Sequence, residues 1–359
     1  MRVTLAAGTA TGAGTAVALP AAIAGLVLTG ADVVAVVPVG SAIPAADPHL
    51  TVTTTGRLAA LLREAVGVRR DAVATTDIYI GFCDRLPLLR RGGSTQVLVV
   101  QNPHLYATTG VATTWSSRAK FAGLRWWAHR SARRADRVIC STSTSRAEVA
   151  TATGLDPGVI EVIPIPATGM SIGGVTVTKT DHRDRIERVL LVGDLYPYKR
   201  TETAIRAVGL LAADHPERPV TLIHIGSDRD PVARRAVDAA VTAAQGAGVD
   251  VVRLGPVTHD RVIQEMVDAD VIVLASTTET QGLPLVEAMA VGLPVVARAI
   301  GPFAELGDDA FRSVEVNAGE EEFAAAIASI DGRAERVQLA ERGRSLHPPG
   351  HSWDLLRST

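Results

Sequence analysis

Glu279 and Glu287, with seven residues between them, bracket the run Glu279-Thr280-Gln281-Gly282-Leu283-Pro284-Leu285-Val286-Glu287. An apolar stretch, 271–274, precedes the run, and Ala288-Met289-Ala290 continues it. That pattern predicts a buried strand, a polar loop and a helix with Pro284 at its first position, where a missing N–H costs nothing. Gly282 lets a ligand approach the backbone closely. The N–H groups of Gly282 and Leu283, with the positive end of the helix dipole, then form a seat for an anion such as a diphosphate. Glu287 stands about one turn into the helix; it would repel phosphate but can accept paired hydrogen bonds from the two vicinal hydroxyls of a ribose. Glu279, in the loop, can meet sugar hydroxyls. Each carboxylate also suits a plainer role, as a loop charge or as a charge near a helix N-terminus.

Together with Gly292-Leu293-Pro294-Val295-Val296-Ala297, this spacing of two glutamates resembles the signature of retaining glycosyltransferase family 4, the glycosyl transferases group 1. The resemblance is strong over about 187–305 and loose but collinear elsewhere. It implies the GT-B fold: two Rossmann-like, doubly wound parallel-sheet α/β domains facing across a cleft, with the donor bound mainly by the C-terminal one. It further implies transfer of a hexosyl group from a nucleoside diphosphate sugar, UDP- or GDP-linked, to an acceptor hydroxyl with retention of configuration. No cofactor and no metal are expected. A nucleotide-sugar epimerase of the same fold and a non-catalytic donor-binding subunit are the competing readings.

Other segments fall into the order of that family. In Val192-Gly193-Asp194-Leu195-Tyr196-Pro197-Tyr198-Lys199-Arg200, Lys199 matches the lysine that neutralises the departing diphosphate. Asp194 stands where many members carry arginine, so either Arg200 takes that role or the diphosphate is held with one cation fewer. His224-Ile225-Gly226-Ser227 and Leu254-Gly255-Pro256-Val257 occupy the places that hold the nucleotide base, which nominates Gly226 and Val257; both segments also read as ordinary strand-to-loop turns. Near the N-terminus, Gly8-Thr9-Ala10-Thr11-Gly12-Ala13-Gly14 resembles the glycine-rich loop beneath the donor phosphates, with Gly12 and Gly14 as the close-approach positions. Gln101-Asn102-Pro103-His104 follows a strand directly, at the end where ligands of such sheets bind. His104 there can orient the acceptor hydroxyl or assist proton movement, or be a loop histidine after a proline turn.

These residues need strands and helices to hold them. Short β-branched runs at 33–37, 77–81, 97–100 and 137–140, and again at 189–192, 220–225, 249–254, 271–274 and 294–297, read as buried parallel strands. Helical stretches such as 201–213 and 231–246 separate them, the alternation of a doubly wound sheet. The 359 residues exceed one core. Ile163-Pro164-Ile165-Pro166, Gly173-Gly174 and the charged stretch 179–188 predict a linker, which divides the chain into an acceptor domain, 1–170, and a donor domain, 171–344. A terminal helix over about 345–359, around Ser352-Trp353-Asp354, is expected to return to the N-terminal domain.

A formal net charge of −2 argues against a nucleic-acid partner. Cys83 and Cys140 are too few for a disulfide framework or zinc site, which favours a cytoplasmic setting. The apolar stretch 16–39 is broken by Pro20, Gly25, Gly30 and Asp32, and reads as a helix followed by a strand rather than a membrane span. Segment 117–137 carries seven basic residues interleaved with Phe121, Leu124, Trp126 and Trp127. It reads as an amphipathic helix with tryptophans packed inward, or as a peripheral contact with the inner membrane face.

Overall fold

The computed structural model describes residues 1–8, 13–41, 43, 47–56, 59, 76–88, 93–106, 115–167, 170–172, 175–348 and 353–356. Two compact units emerge, one made of Met1–Pro166 with His351–Thr359 and the other of Ala167–Gly350.

In the first unit, seven parallel strands are ordered β3-β2-β1-β4-β5-β6-β7. They are β1 (Arg2–Ala6), β2 (Asp32–Pro38), β3 (Leu50–Thr55), β4 (Ile78–Gly81), β5 (Thr95–Val99), β6 (Arg137–Cys140) and β7 (Ile160–Val162). Val and Ile dominate the central strands because both faces are covered and β-branched side chains pack well on a pleated surface. The stretch 16–39 divides as expected, into helix Ala13–Leu28 with Pro20 inside it, then β2. No helix among the described residues is long and apolar enough to cross a membrane.

Residues 353–356 pack onto this unit, and they are not helical, although a terminal helix over about 345–359 was expected. Helix Arg333–Leu346 stops ahead of Pro348, since a proline ring drives the residue before it away from helical backbone. Residues 353–354 have no regular structure and 355–356 form a turn, with Leu356 N–H donating to Asp354 Oδ1. Trp353 is fully buried: its amide donates to Ala21 O at 2.9 Å and its indole Nε1 to Ile163 O at 3.2 Å. Gly25 permits this contact, because a Cβ there would lie 2.2 Å from Trp353 O.

The second unit holds six parallel strands in the order β12-β11-β10-β13-β14-β15. These are β10 (Arg188–Val192), β11 (Val220–Ile225), β12 (Val249–Gly255), β13 (Val271–Leu274), β14 (Val295–Arg298) and β15 (Arg312–Val314). Its helices begin where the sequence supplies caps. Asp230 accepts from the amides of Val232 and Ala233 ahead of helix Pro231–Gly246, and Thr258 Oγ1 accepts from Arg261 ahead of helix His259–Asp268. Ala204, Ala207, Val208 and Leu211 on one face of helix Thr201–Asp214 meet Ala240 and Ala244 of helix Pro231–Gly246. Small side chains allow that close approach.

The stretch 167–188 differs from the expected linker. Ala167 and Met170 enter the core of the second unit, and β8 (Ser171–Ile172) pairs with β9 (Val175–Thr176) as a short antiparallel ribbon. Lys179 is buried, its amide bonded to Val291 O and its Nζ to Val267 O. Asp270, 0 % exposed, then gathers the segment: Oδ1 accepts from Arg183 and Oδ2 from the amides of Glu187 and Arg188. Charges of the expected linker are thus satisfying a buried carboxylate, which would otherwise be costly to enclose.

Candidate active site

Strand β10 lies at the middle of its sheet, with β11 on one side and β13 on the other. The chain therefore leaves β10 in one direction and returns to its opposite flank, so the loops after β10 and β13 diverge and open a crevice at the carboxyl ends of the strands. Gly193, Lys199, Thr201, His224, Ala275 and Ser276 line a pocket there.

The loop after β10 is shaped by close backbone approach. Gly226, at φ +153°, sits so near its neighbour that a Cβ would lie 2.0 Å from Gly193 O, and its amide donates to Gly255 O at 3.1 Å. His224 Nε2 donates to Gly193 O at 3.1 Å, and burial holds its imidazole below the usual value. Asp194, the residue in the place of the family's arginine, braces the same corner. Its Oδ1 accepts from Ser227 N–H at 2.8 Å and its Oδ2 from Arg229 Nε at 3.1 Å. Gly226 thus joins the ends of β10, β11 and β12 through its backbone. Val257 lies just beyond, half-buried against the core.

Lys199 closes the short 3-10 turn Pro197–Lys199. Its Nζ donates to Glu279 Oε1 at 2.5 Å and lies 5.6 Å from the centre of the Tyr198 ring. Thr277 reinforces the junction, its amide donating to Tyr198 O at 2.8 Å. Burial, then the Glu279 charge, push the Tyr198 phenol well above its ordinary value, so it stays neutral beside the ion pair. Arg200 points to a different partner. It takes the left-handed conformation at φ +49° as the N-cap of helix Thr201–Asp214, and its Nε lies 3.3 Å from Glu202 Oε1.

The other sequence-nominated residues of this unit fall on helix Leu283–Val291. Gly282 is its N-cap, at φ +84°, and Leu283 and Pro284 form its first turn. The bare α-carbon of Gly282 faces the Phe303 ring, since a Cβ would lie 2.1 Å from Phe303 Cε1. The glycine therefore serves ring packing as well as the left-handed turn. The first amide to bond back is Leu285 N–H to Gly282 O, so the amides of Gly282 and Leu283 belong to the open end of the helix. Glu287 is only 3 % exposed, and its Oε1 accepts from His259 Nε2 at 2.9 Å. Burial acts against the charge on His259, but the hydrogen bond and the Glu287 carboxylate outweigh it and raise its pKa. His259 was not singled out in the sequence. The only hint is its place, directly after a Thr N-cap in the loop that carries Val257.

In the first unit, Gly12 lies outside the described residues, and Gly14 falls in the first turn of helix Ala13–Leu28. His104 belongs to the 3-10 turn Pro103–Leu105 and is 6 % exposed, not a surface loop histidine. Its amide donates to Asn102 Oδ1, and its carbonyl accepts from Arg125 Nη2. A neighbour the sequence did not flag is Asp84, at φ +60° just after β4. Its Oδ1 accepts from Gln101 N–H at 3.0 Å and Asn102 N–H at 3.4 Å. Burial pushes its carboxyl up to about 7, against the pull of those two amides and of Arg85. In helix Trp115–Ala132 the adjacent Trp126 and Trp127 part ways: Trp127 Nε1 donates to Leu86 O, while Trp126 is 60 % exposed with the Arg130 guanidinium 6.0 Å from its ring.

Residues 186–330 match the family model for glycosyl transferases group 1. Among curated relatives, a D-inositol 3-phosphate glycosyltransferase from Geodermatophilus obscurus is 29 % identical over 231 residues, covering 61 % of this chain and 50 % of the relative. One of the same description from Jonesia denitrificans is 28 % identical over 176 residues, covering 46 % of this chain and 41 % of its own. The chain thus aligns with about half the length of these relatives, or less. Two solved structures match nearly end to end. Anabaena HepE in complex with UDP and glucose superposes with a TM-score of 0.64 at 19 % identity, covering 97 % of this chain and 95 % of that one. The sucrose-phosphate synthase of Thermosynechococcus elongatus gives 0.69 at 16 % identity, with coverage of 97 % and 94 %. Two parallel-sheet α/β units of this topology make this a chain of GT-B fold, and the match to the glycosyl transferases group 1 model spans most of its second unit.

Proposed function

We propose that this chain is a retaining glycosyltransferase, moving a hexosyl group from a UDP- or GDP-sugar to a hydroxyl of a bacterial-type glycan, a glycolipid or a small-molecule natural product. The observation that carries the reading is the Lys199–Glu279 contact at the crevice where the strand order reverses, with Glu287 and the open end of helix Leu283–Val291 at the same carboxyl edge. The group 1 match, and a fold shared with a protein solved with UDP and glucose, support a nucleotide-sugar donor.

The demanding step is departure of the diphosphate while positive charge grows on the anomeric carbon. Cations and N–H dipoles fixed beforehand around the leaving group lower that barrier, because they need not reorganise as charge develops. Lys199 and the amides of Gly282 and Leu283 supply them in this reading, without a metal. The departing phosphate takes the acceptor proton on the same face, which returns the configuration of the donor. Glu287 receives the ribose hydroxyls and Glu279 the sugar hydroxyls. His104 orients the acceptor, on a loop braced by Asp84. The protein works on the cytoplasmic side, where Trp126 and Arg130 offer a peripheral contact with anionic lipid.

The test is incubation with a panel of UDP- and GDP-sugars and hydroxyl acceptors, D-inositol 3-phosphate among them, following nucleotide release and product configuration by NMR. A transferred sugar with the donor's configuration is expected. An epimerised donor formed without acceptor would assign the epimerase activity instead. Binding without hydrolysis or transfer would leave a donor-binding subunit.

A further inference from the structure

The buried carboxylate of Glu287 is held from one side only. Oε1 accepts from His259 Nε2 at 2.9 Å, whereas Oε2 carries no protein partner among the described residues. That leaves Oε2 open to hydrogen-bond donors from outside the protein. His259 cannot drift from its place. It is the first residue of its helix, set by the Thr258 cap, and that helix packs against helix Leu283–Val291. The pair therefore fixes the rotation of the Glu287 carboxylate as well as its charge.

We infer that His259 is a positioning residue for nucleotide recognition, clamping Oε1 of Glu287 so that Oε2 is aimed at the vicinal hydroxyls of the ribose. This rests on the donor reading given above and adds to it a residue that touches no ligand itself. A carboxylate turned by one oxygen presents the other along a single direction, which separates a ribonucleotide from its 2′-deoxy counterpart more sharply than a freely rotating group. Charged groups facing the imidazole are Glu287, from the adjoining helix, and Asp260 beside it on its own, and both favour the protonated ring. Protonated His259 must donate through Nε2. Once neutral, it can also adopt the tautomer that presents a lone pair to Oε1, and the clamp loosens. Ribose discrimination should therefore decline as pH rises past the raised imidazole value.

The experiment is calorimetric titration of the full chain with UDP, GDP and their 2′-deoxy forms at pH 6 and pH 8, for the wild type, His259→Ala and His259→Gln. The wild type should prefer one ribonucleotide over its deoxy form by about tenfold, roughly the value of one good hydrogen bond. His259→Ala should lose that preference while binding the deoxy nucleotide unchanged. His259→Gln, an uncharged donor of similar reach, should retain it at both pH values while the wild-type preference shrinks at pH 8. A preference unaltered in His259→Ala would overturn the inference alone. So would a wild-type preference that is flat with pH, a readout that survives even if His259→Ala does not fold. A wild type that binds neither UDP nor GDP would overturn the donor reading and the inference together.

Discussion

Lys199 Nζ donates to Glu279 Oε1 at 2.5 Å, so the proposed phosphate lysine and the proposed sugar carboxylate are partners before any donor is present. Both side chains are largely buried, 16 % and 13 % exposed, where Coulomb attraction is less screened than in bulk water. An incoming diphosphate must share or take the lysine. Lys199→Ala should lower kcat with a UDP- or GDP-sugar by about 10²-fold or more, the usual cost of losing a group that stabilises leaving-group charge. Glu279→Gln should lower turnover as well, yet bind the free nucleoside diphosphate at least as tightly as wild type, because the lysine no longer has a competing anion. Paired titrations and initial rates separate the two. Near-wild-type turnover in Lys199→Ala would remove that residue from the site.

Glu287→Gln keeps the shape of the side chain but weakens acceptance of hydroxyl hydrogen bonds and breaks the ionic part of the His259 contact. Nucleotide affinity should fall about tenfold, and the change in donor KM should exceed that in kcat, since the ribose is bound equally in ground and transition states. A larger loss in kcat than in KM would place Glu287 near the reacting carbon instead.

Gly282 is held at φ +84° with Phe303 filling the space a side chain would need. Gly282→Ala therefore combines left-handed backbone strain with a clash against a buried ring. Together these cost on the order of 2–6 kcal/mol, since the two contributions are each about 1–3 kcal/mol. A lowered unfolding midpoint in urea, with unchanged m-value, is the expected result. An unchanged midpoint would mean that Phe303 swings aside freely.

Much of this was legible because the physics is local. The run 271–274 is apolar throughout and 220–225 nearly so, as a strand covered on both faces requires, and they appear as β13 and β11 at those same bounds. The glutamate pair stood out because a polar loop after a strand is where such folds bind ligands, and Lys199 through its resemblance to the group 1 pattern. Illegible was whatever depends on a distant partner. Asp194 looked like a lost arginine, and only the fold brings Ser227 and Arg229 to its oxygens. The charged stretch 179–188 reads as a linker in sequence, and only the fold brings buried Asp270 to it. His259 lies 28 positions from Glu287, and no local pattern announces the pairing. A short strand such as β15, three residues long, carries too little periodicity to be seen at all.

Asp84 gives the protein a pH dependence with a definite sign. An aspartate ordinarily titrates near 4, but burial lifts this carboxyl to about 7. Between those values the folded state retains a proton that the unfolded chain has released. The protonated form therefore supports the fold fully below pH 4, and that support is lost as pH rises through 7. Tyr106 and Cys140 face the same interior and stay neutral, each raised chiefly by burial, while Arg85 near Asp84 and Arg146 near Cys140 pull the other way. Asp84→Asn keeps an Oδ1 acceptor for Gln101 and Asn102, tolerates the left-handed backbone, and cannot ionise. The variant should melt close to wild type at pH 4.5 and above it at pH 8. The gap should reach up to about 3–4 kcal/mol, since each tenfold change in proton affinity is worth roughly 1.4 kcal/mol. Thermal unfolding at the two pH values measures it. A gap that fails to widen with pH would show that the Asp84 carboxyl does not hold its proton into the neutral range.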